Sequence, residues 1–155
     1  GIIAALTGNG VGMASVGRSV RVLPVRVLGK CGGYDSDIIA GMRWAVGLSV
    51  AGVPTNPTPA RVLNMSLGGE GACTAAYISA LADVAATGAV VVAAAGNSNG
   101  HAVGTPANCP GVIAVAGLRH AGTKLGLSDL GPEIALSAPA GNCVAVGAND
   151  ACHCP

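Results

Sequence analysis

The sequence has few charges and no long uninterrupted apolar run, and these two shortages exclude several classes of protein. Charged residues make up 10% of the 155 residues, and the formal net charge is +1. Such a balance provides neither a basic patch for nucleic acid nor an acidic field for a cationic partner, so we predict no nucleic-acid partner. Gly, Asn, Arg or Pro interrupts every apolar stretch before it reaches the roughly 18 residues of a membrane span, so we predict no membrane partner.

The start of the chain and the spacing of its cysteines lack other common signals. GIIAALTGNG (residues 1–10) has no initiator Met, no preceding basic segment and no signal cleavage pattern, so we expect it to be the interior of a longer protein. The six cysteines lack the paired C-x-x-C spacing of a zinc site. Disulfides in an exported protein are therefore favoured over metal binding.

The residues that are present favour a tightly packed α/β chain, with 51% hydrophobic residues and 25 glycines. Strands are predicted at residues 19–29, 61–66 and 90–95 and at the later segments VIAVAG and EIALSAP. Helices are predicted behind Asp35 and Ser36 as candidate N-caps and at residues 73–87. Strands that alternate with helices indicate right-handed crossovers and a parallel sheet.

The apolar run VVVAAAGNSNG (residues 90–100) ends abruptly at Gly96 and Asn97. A short apolar run bounded by glycine is typical of a buried parallel strand, and chemistry gathers beyond the carboxyl ends of such strands. NMSLGG (residues 64–69) is a second strand end that runs into glycines, and TPANCPGVIAVAG (residues 105–117) follows later. In this order and approximate spacing, the three segments resemble the subtilisin-like serine proteases, the subtilases, and PVRVLGKCGGYDSDIIAGMRWA and SDLGPEIALSAPAG extend the match.

The resemblance implies a three-layer α/β fold with a mostly parallel twisted sheet and flanking helices, of which this chain is an incomplete part. It implies that residues 1–155 are the central part of a peptidase domain, after the Asp and His segments of the catalytic triad and before its Ser segment. His101, His120 and His153 fall in loops and do not align with the catalytic His. We therefore expect the chain alone to be inactive.

The site residues that the resemblance implies lie on three segments. Asn97 corresponds to the asparagine of the oxyanion hole, and Gly32-Gly33 resembles the edge segment that binds the backbone of the substrate. The implied substrate-binding residues are Gly32, Gly33, Ser66, Leu67, Gly68, Gly69, Ala94, Ala95 and Gly96. If this assignment is right, Asn97 lies beside Gly68 at one edge of the sheet.

Further expectations concern bonds and a metal. The bond between Thr105 and Pro106 aligns with a position that the family usually holds as cis. A link between Cys73 and Cys109 would join the segment after SLGG to the loop behind the pocket, and Cys143 would pair locally with Cys152 or Cys154, which leaves Cys31 and one other cysteine without a partner in this chain. We expect no required cofactor, and the glycine-rich loop around Asn9 is a candidate site for a structural calcium.

The resemblance therefore implies a portion of a secreted, monomeric serine endopeptidase that acts on extended polypeptides through an acyl-enzyme. One alternative is a non-catalytic peptide-binding fragment or pseudoenzyme that keeps the cleft. Another is a cofactor-binding domain in which glycines after strands hold phosphate, but no G-x-G-x-x-G opens a helix after a strand here.

Overall fold

The computed structural model describes residues 1–146 and 152–153, with side chains for residues 1–144, and is built on a four-stranded parallel sheet. Its elements are α1 (Asp35–Ala45), β1 (Val62–Met65), α2 (Ala75–Ala86), β2 (Val90–Ala94), β3 (Val112–Leu118), β4 (Ile134–Pro139), β5 (Ala145–Val146) and β6 (Cys152–His153). The sheet has the order β1-β2-β3-β4, and β5 pairs with β6 antiparallel. The predicted parallel α/β sheet with flanking helices is confirmed.

The hydrophobic core lies between the two helices and one face of the sheet. Buried side chains recur at helical spacing on α1 and α2 and alternate along the strands, which gives each element one packed face. These core residues are Ile38, Met42, Ala45, Leu63, Met65, Tyr77, Ala80, Leu81, Val84, Val91, Ala93, Ala114 and Ala116. On the opposite face, Val62, Val90 and Leu136 are exposed. None of the helices in the described part of the chain combines the length and apolarity needed to cross a membrane.

Two polar contacts join α1 to α2. The buried Tyr77 donates its hydroxyl to Oδ1 of Asp35 at 3.1 Å, and Arg43 forms an ion pair with Asp83. The prediction that Asp35 and Ser36 cap α1 is wrong, because Tyr34 occupies the N-cap position and makes no side-chain cap bond. Asp35 lies instead in the first turn, where its carboxylate accepts the Tyr77 hydroxyl and interacts favourably with the helix dipole.

The predicted strand at residues 19–29 is also wrong. Apart from a bridge between Gly29 and Gly32, this segment has no ladder, and β1 is the edge of the sheet. Pro24 has no N–H to donate, and no described strand forms hydrogen-bonded pairs with the segment. Val25 and Val27 still pack against the core, so the segment keeps the apolar pattern of a strand without its hydrogen bonds.

The cysteines and one proline follow several of the expectations. Cys73 and Cys109 form a disulfide with their Cα atoms 5.1 Å apart, and the bond between Thr105 and Pro106 is cis. Cys143 is disulfide-bonded. Its predicted partners, Cys152 and Cys154, have side chains outside the described residues, so that pairing stays a prediction. Cys31 is exposed with a free thiol.

Replacing Tyr77 with Phe removes the hydroxyl that links the two helices but keeps the packed ring. Burial and the neighbouring Asp35 raise the pKa of Tyr77 above its ordinary value, so the phenol stays protonated as a donor at neutral pH. We expect Tyr77→Phe to lower the free energy of unfolding by about 1–2 kcal/mol, measured by denaturant titration. The control Tyr34→Phe alters an exposed ring and should change it by less than about 0.5 kcal/mol. Equal effects of the two variants would contradict the assignment.

Candidate functional site

The carboxyl ends of β1 and β2 open into one cavity. Met65 pairs with Ala93 in parallel register, so the segments that follow the two strands leave the sheet at the same carboxyl edge. The segments that follow line a cavity of about 770 Å³, which we call the main cleft. The sequence-predicted residues in its wall are Ser66, Leu67, Gly68, Gly69, Ala94, Ala95, Gly96 and Asn97. The structure therefore brings Asn97 and Gly68 to one edge of the sheet, around a common space.

The segment after β1 is fixed to the loop that follows β2. Gly69 and Thr105 exchange two backbone hydrogen bonds of 2.9 Å, which form an antiparallel bridge at the wall of the cleft. Gly104 lies so close to the carbonyl of Gly69 that a Cβ there would collide with it. The disulfide between Cys73 and Cys109 links the same two segments covalently. Backbone hydrogen bonds and a covalent bond therefore both hold this wall.

Asn108 is a site residue that sequence reasoning missed. Its Nδ2 donates to the carbonyl oxygens of Gly71 at 2.8 Å and Val103 at 3.0 Å, so one side chain joins both loops of the wall. Thr105 adds a hydroxyl bond to the Gly71 carbonyl at 3.2 Å. The only sequence signal was an amide residue next to a cysteine in TPANCPG, and its partners are distant in sequence.

A second cavity of about 370 Å³ lies on the other side of the segment that follows β1. Gly32 and Gly33 line it, together with Leu67, Gly68 and Gly69. The N–H of Gly29 donates to the carbonyl of Gly32 at 2.7 Å, so the glycines belong to a tight turn rather than a strand. The predicted substrate-binding segments at residues 32–33 and 67–69 therefore face a shared space, which borders the main cleft along residues 66–70.

Asn97 is exposed at the end of β2, and its side-chain amide makes no hydrogen bond within the described residues. The loop behind it is held by Asp129, a second residue that sequence reasoning missed. Asp129 is 3% exposed, and its Oδ1 accepts the backbone N–H groups of Ser98, Gly100 and His101 at 2.8, 3.2 and 3.1 Å. The amide of Asn97 thus remains free to donate into the main cleft from an anchored backbone.

The serines and histidines of the described chain do not form a nucleophile and base pair. The Ser66 hydroxyl accepts a hydrogen bond from Asn64 at 3.1 Å, and the buried Ser128 hydroxyl accepts the N–H of Gly117 at 2.9 Å. His101 lines the main cleft, but its ring makes no hydrogen bond within residues 1–144. His120 lies in an exposed turn, and the side chain of His153 is outside the described residues.

The loop around Asn9 offers an incomplete donor set for calcium. The Asn9 Oδ1 accepts the N–H of Val11 at 3.1 Å, and LTGNGVGMAS (residues 6–15) contains no carboxylate. Calcium takes six to eight oxygen ligands, usually including carboxylates. Within the described residues, no three His, Cys, Asp or Glu side chains come together as a metal site. Within the described residues, this loop therefore supplies only part of a calcium ligand set, and a structural calcium there stays a prediction.

Comparison with known proteins gives consistent matches over nearly the whole chain. The family model described as "Subtilase family" matches residues 1–154. An extracellular basic protease of Dichelobacter nodosus is 47% identical over 143 residues, and an extracellular protease of Xanthomonas campestris is 47% identical over 140 residues. Among solved structures, a protease of Pseudoalteromonas arctica superposes with a TM-score of 0.87 at 46% identity and covers 97% of this chain.

The chain is shorter than each of these relatives. It spans 24% of the length of the two curated relatives and 44% of the solved chain. The matched share of this chain is much larger, at 92% and 90% for the curated pair. The similarity therefore covers the sheet and the residues that line the two cavities described above, but only part of each relative.

Gly96 links the strand end to the buried carboxylate, and a Cβ there should be poorly tolerated. Its φ is +121°, and an added Cβ would collide with the Asp129 carboxylate. We expect Gly96→Ala to lower the free energy of unfolding by about 2 kcal/mol or more, measured by denaturant titration. Gly69→Ala is the matched control in the opposite wall, because no atom lies within 4 Å of its added Cβ. Comparable losses in both variants would contradict this reading of Gly96.

Proposed function

The chain belongs to the subtilase family, and from that membership we propose that it is the substrate-binding portion of a secreted serine endopeptidase. The observation that carries the proposal is the convergence of residues 66–69 and 94–97 on one cleft at the carboxyl edge of a parallel sheet. In the whole enzyme, this portion binds an extended polypeptide and stabilises the reacting carbonyl. The reaction is hydrolysis of a peptide bond through an acyl-enzyme.

An extended peptide binds by adding its backbone to a segment with accessible N–H and C=O groups. Gly68 presents such a backbone without a side chain, because only the neighbouring Gly69 has its N–H and C=O bonded to Thr105. Gly32 and Gly33 lie across the second cavity from Gly68. A substrate between these segments is held on both sides, while one of its side chains enters the main cleft. Ala94, Ala95 and Gly96 leave room there because their side chains are small.

Asn97 is proposed as the oxyanion donor. Attack on a peptide carbonyl places negative charge on its oxygen, and a fixed N–H aimed at that oxygen lowers the barrier. The Asn97 amide is suited to this role because it lies at the strand end, in the cleft wall, with no hydrogen bond to a described residue. The nucleophilic Ser and its His and Asp are proposed to come from parts of the full-length protein outside these residues.

Export of the protein is supported by two independent observations. The disulfide of Cys73 with Cys109 is a bond that persists in oxidising environments such as the periplasm and the extracellular medium. Both curated relatives described above are named as extracellular proteases. A monomeric state stays a prediction, as does a structural calcium ion at the loop around Asn9.

Replacement of Asn97 in the full-length protein tests the proposal. Loss of one such donor lowers kcat in a subtilisin by about 10²–10³-fold, and we expect the same order for Asn97→Ala with KM little changed. Cleavage of a peptide substrate is measured, with active sites counted by a serine-directed phosphonate. Asn99→Gly is the control, because Asn99 is exposed with a φ of +62° that Gly adopts readily.

The probe also separates the proposed enzyme from a binding protein. One phosphonate adduct together with peptide cleavage supports the endopeptidase. Saturable peptide binding without an adduct or turnover would instead identify a peptide-binding pseudoenzyme and would contradict the proposed catalysis.

A further inference from the structure

The loop behind Asn97 is wrapped around one oxygen atom of a buried carboxylate. Oδ1 of Asp129 accepts the N–H groups of Ser98, Gly100 and His101. Several backbone N–H groups directed at one point form a nest, a concave arrangement that binds anions. The backbone reaches it through positive φ angles of +62° at Asn99 and +89° at Gly100. The nest is therefore filled by an anion from the chain itself, and the carboxylate is part of the loop structure.

The same residue holds the backbone on both sides of Asn97. The N–H of Asp129 donates to the carbonyl of Gly96 at 3.1 Å, and its carboxylate accepts the N–H of Ser98 at 2.8 Å. Two more backbone hydrogen bonds, each of 3.0 Å, pair residues 99 and 101 of this loop with residues 127 and 130. Asn97 thus lies between two residues that Asp129 fixes directly.

The segment that carries Asp129 is itself held by the half-buried ammonium group of Lys124. The Nζ of Lys124 donates to the carbonyl oxygens of Leu125, Gly126 and Ser128 at 2.9, 2.8 and 2.9 Å. All three donor positions of an ammonium group are used, so the turn that ends in Asp129 has little freedom. The anchor of the Asn97 loop therefore rests on a rigid support.

We propose that Asp129 is a positioning residue that holds the Asn97 amide in the geometry needed to stabilise the oxyanion. The inference rests on the proposed function, because it assigns Asp129 to the same step. Oxyanion donors act at about 2.7–3.1 Å and are effective because they are oriented before the reaction. Within the described residues, no side-chain hydrogen bond orients Asn97 itself, so its direction depends on the backbone that Asp129 fixes.

The negative charge of the Asp129 carboxylate strengthens the hydrogen bonds that hold the loop. Hydrogen bonds to an ionised acceptor are about twice as strong as neutral ones, and three of them meet at this oxygen. Asn in place of Asp keeps an acceptor of the same size without the charge. Ala leaves the N–H groups of Ser98, Gly100 and His101 without their acceptor, which loosens the loop. Asp129→Asn should therefore weaken the restraint on Asn97, and Asp129→Ala should weaken it further.

A double-mutant cycle in the full-length protein tests the inference. Asp129→Ala and Asp129→Asn are each made with Asn97 present and with Asn97→Ala, and kcat and KM are measured per phosphonate-titrated site. With Asn97 present, we expect Asp129→Ala to lower kcat by about 10–100-fold at nearly constant KM, and Asp129→Asn to lower it less. With Asn97→Ala, the same change should lower kcat by less than about threefold, because the group that Asp129 orients is already gone.

The control is a buried loop anchor in the segment between α1 and β1, outside the lining of both cavities. Asn56 is 3% exposed, donates to the carbonyl of Ala45 at 2.9 Å and accepts the N–H of Thr58 at 2.9 Å. Asn56→Ala should reduce thermal stability as Asp129→Ala does, but should leave kcat per titrated site unchanged. This separates loss of positioning from loss of folding.

The outcomes distinguish this inference from the proposed function. Equal factors for Asp129→Ala in both backgrounds, or an unchanged kcat per site, would overturn the positioning role alone. If Asp129→Ala yields no folded protein, the Asp129→Asn cycle decides by the same criterion. If Asn97→Ala by itself leaves kcat unchanged, the oxyanion assignment fails, and the role of Asp129 fails with it.

Discussion

The parallel pairing of β1 with β2 is the constraint on which the rest of the structure depends. With Met65 opposite Ala93, the segments that follow β1 and β2 leave the sheet at the same edge and in the same direction. A glycine-rich backbone and an asparagine that are some 30 residues apart in sequence therefore line one cavity. A shift of one residue would turn the alternate residues of β2 to the other face and remove Val91 and Ala93 from the core. The pairing register that packs the core therefore also sets the positions of the residues that line the main cleft.

Rigid connections on both sides of the cleft keep these strand ends in place. The bridge between Gly69 and Thr105, the disulfide of Cys73 and the amide of Asn108 join the wall after β1 to the loop after β2. On the other wall, Asp129 supplies the restraint. In a chain with only seven acidic residues, one carboxylate is buried beside the candidate oxyanion donor, where its three backbone partners compensate for the loss of water.

Much of this architecture could be predicted from the sequence because it depends on local pattern. The strands at residues 61–66 and 90–95 have apolar runs that end in polar or glycine residues, and the structure contains β1 and β2 there. The predicted strand at residues 19–29 has a similar pattern but is not a strand, because a strand also needs a neighbour to accept its hydrogen bonds. The apolar pattern indicates packing against the core, and Val25 and Val27 do pack there. It does not show that the segment pairs with another strand.

The anchors of the site could not be predicted because their partners are distant in sequence. Asp129 contacts residues about 30 positions earlier, and Asn108 binds a carbonyl 37 positions earlier. Nothing in SDLG or TPANCPG distinguishes them from ordinary turn residues. Asp35 shows the same limitation, since it resembles a helix cap in sequence but binds Tyr77 on the neighbouring helix.

The most direct measurement of the central claim is a crystal structure of the full-length protein inactivated by a peptidyl phosphonate. The account predicts a covalent serine adduct whose phosphonyl oxygen lies about 3 Å from Nδ2 of Asn97. It also predicts that the peptide backbone pairs with residues 66–68 and 32–33. An adduct whose oxygen points away from Asn97, or a peptide bound outside the main cleft, would contradict the account.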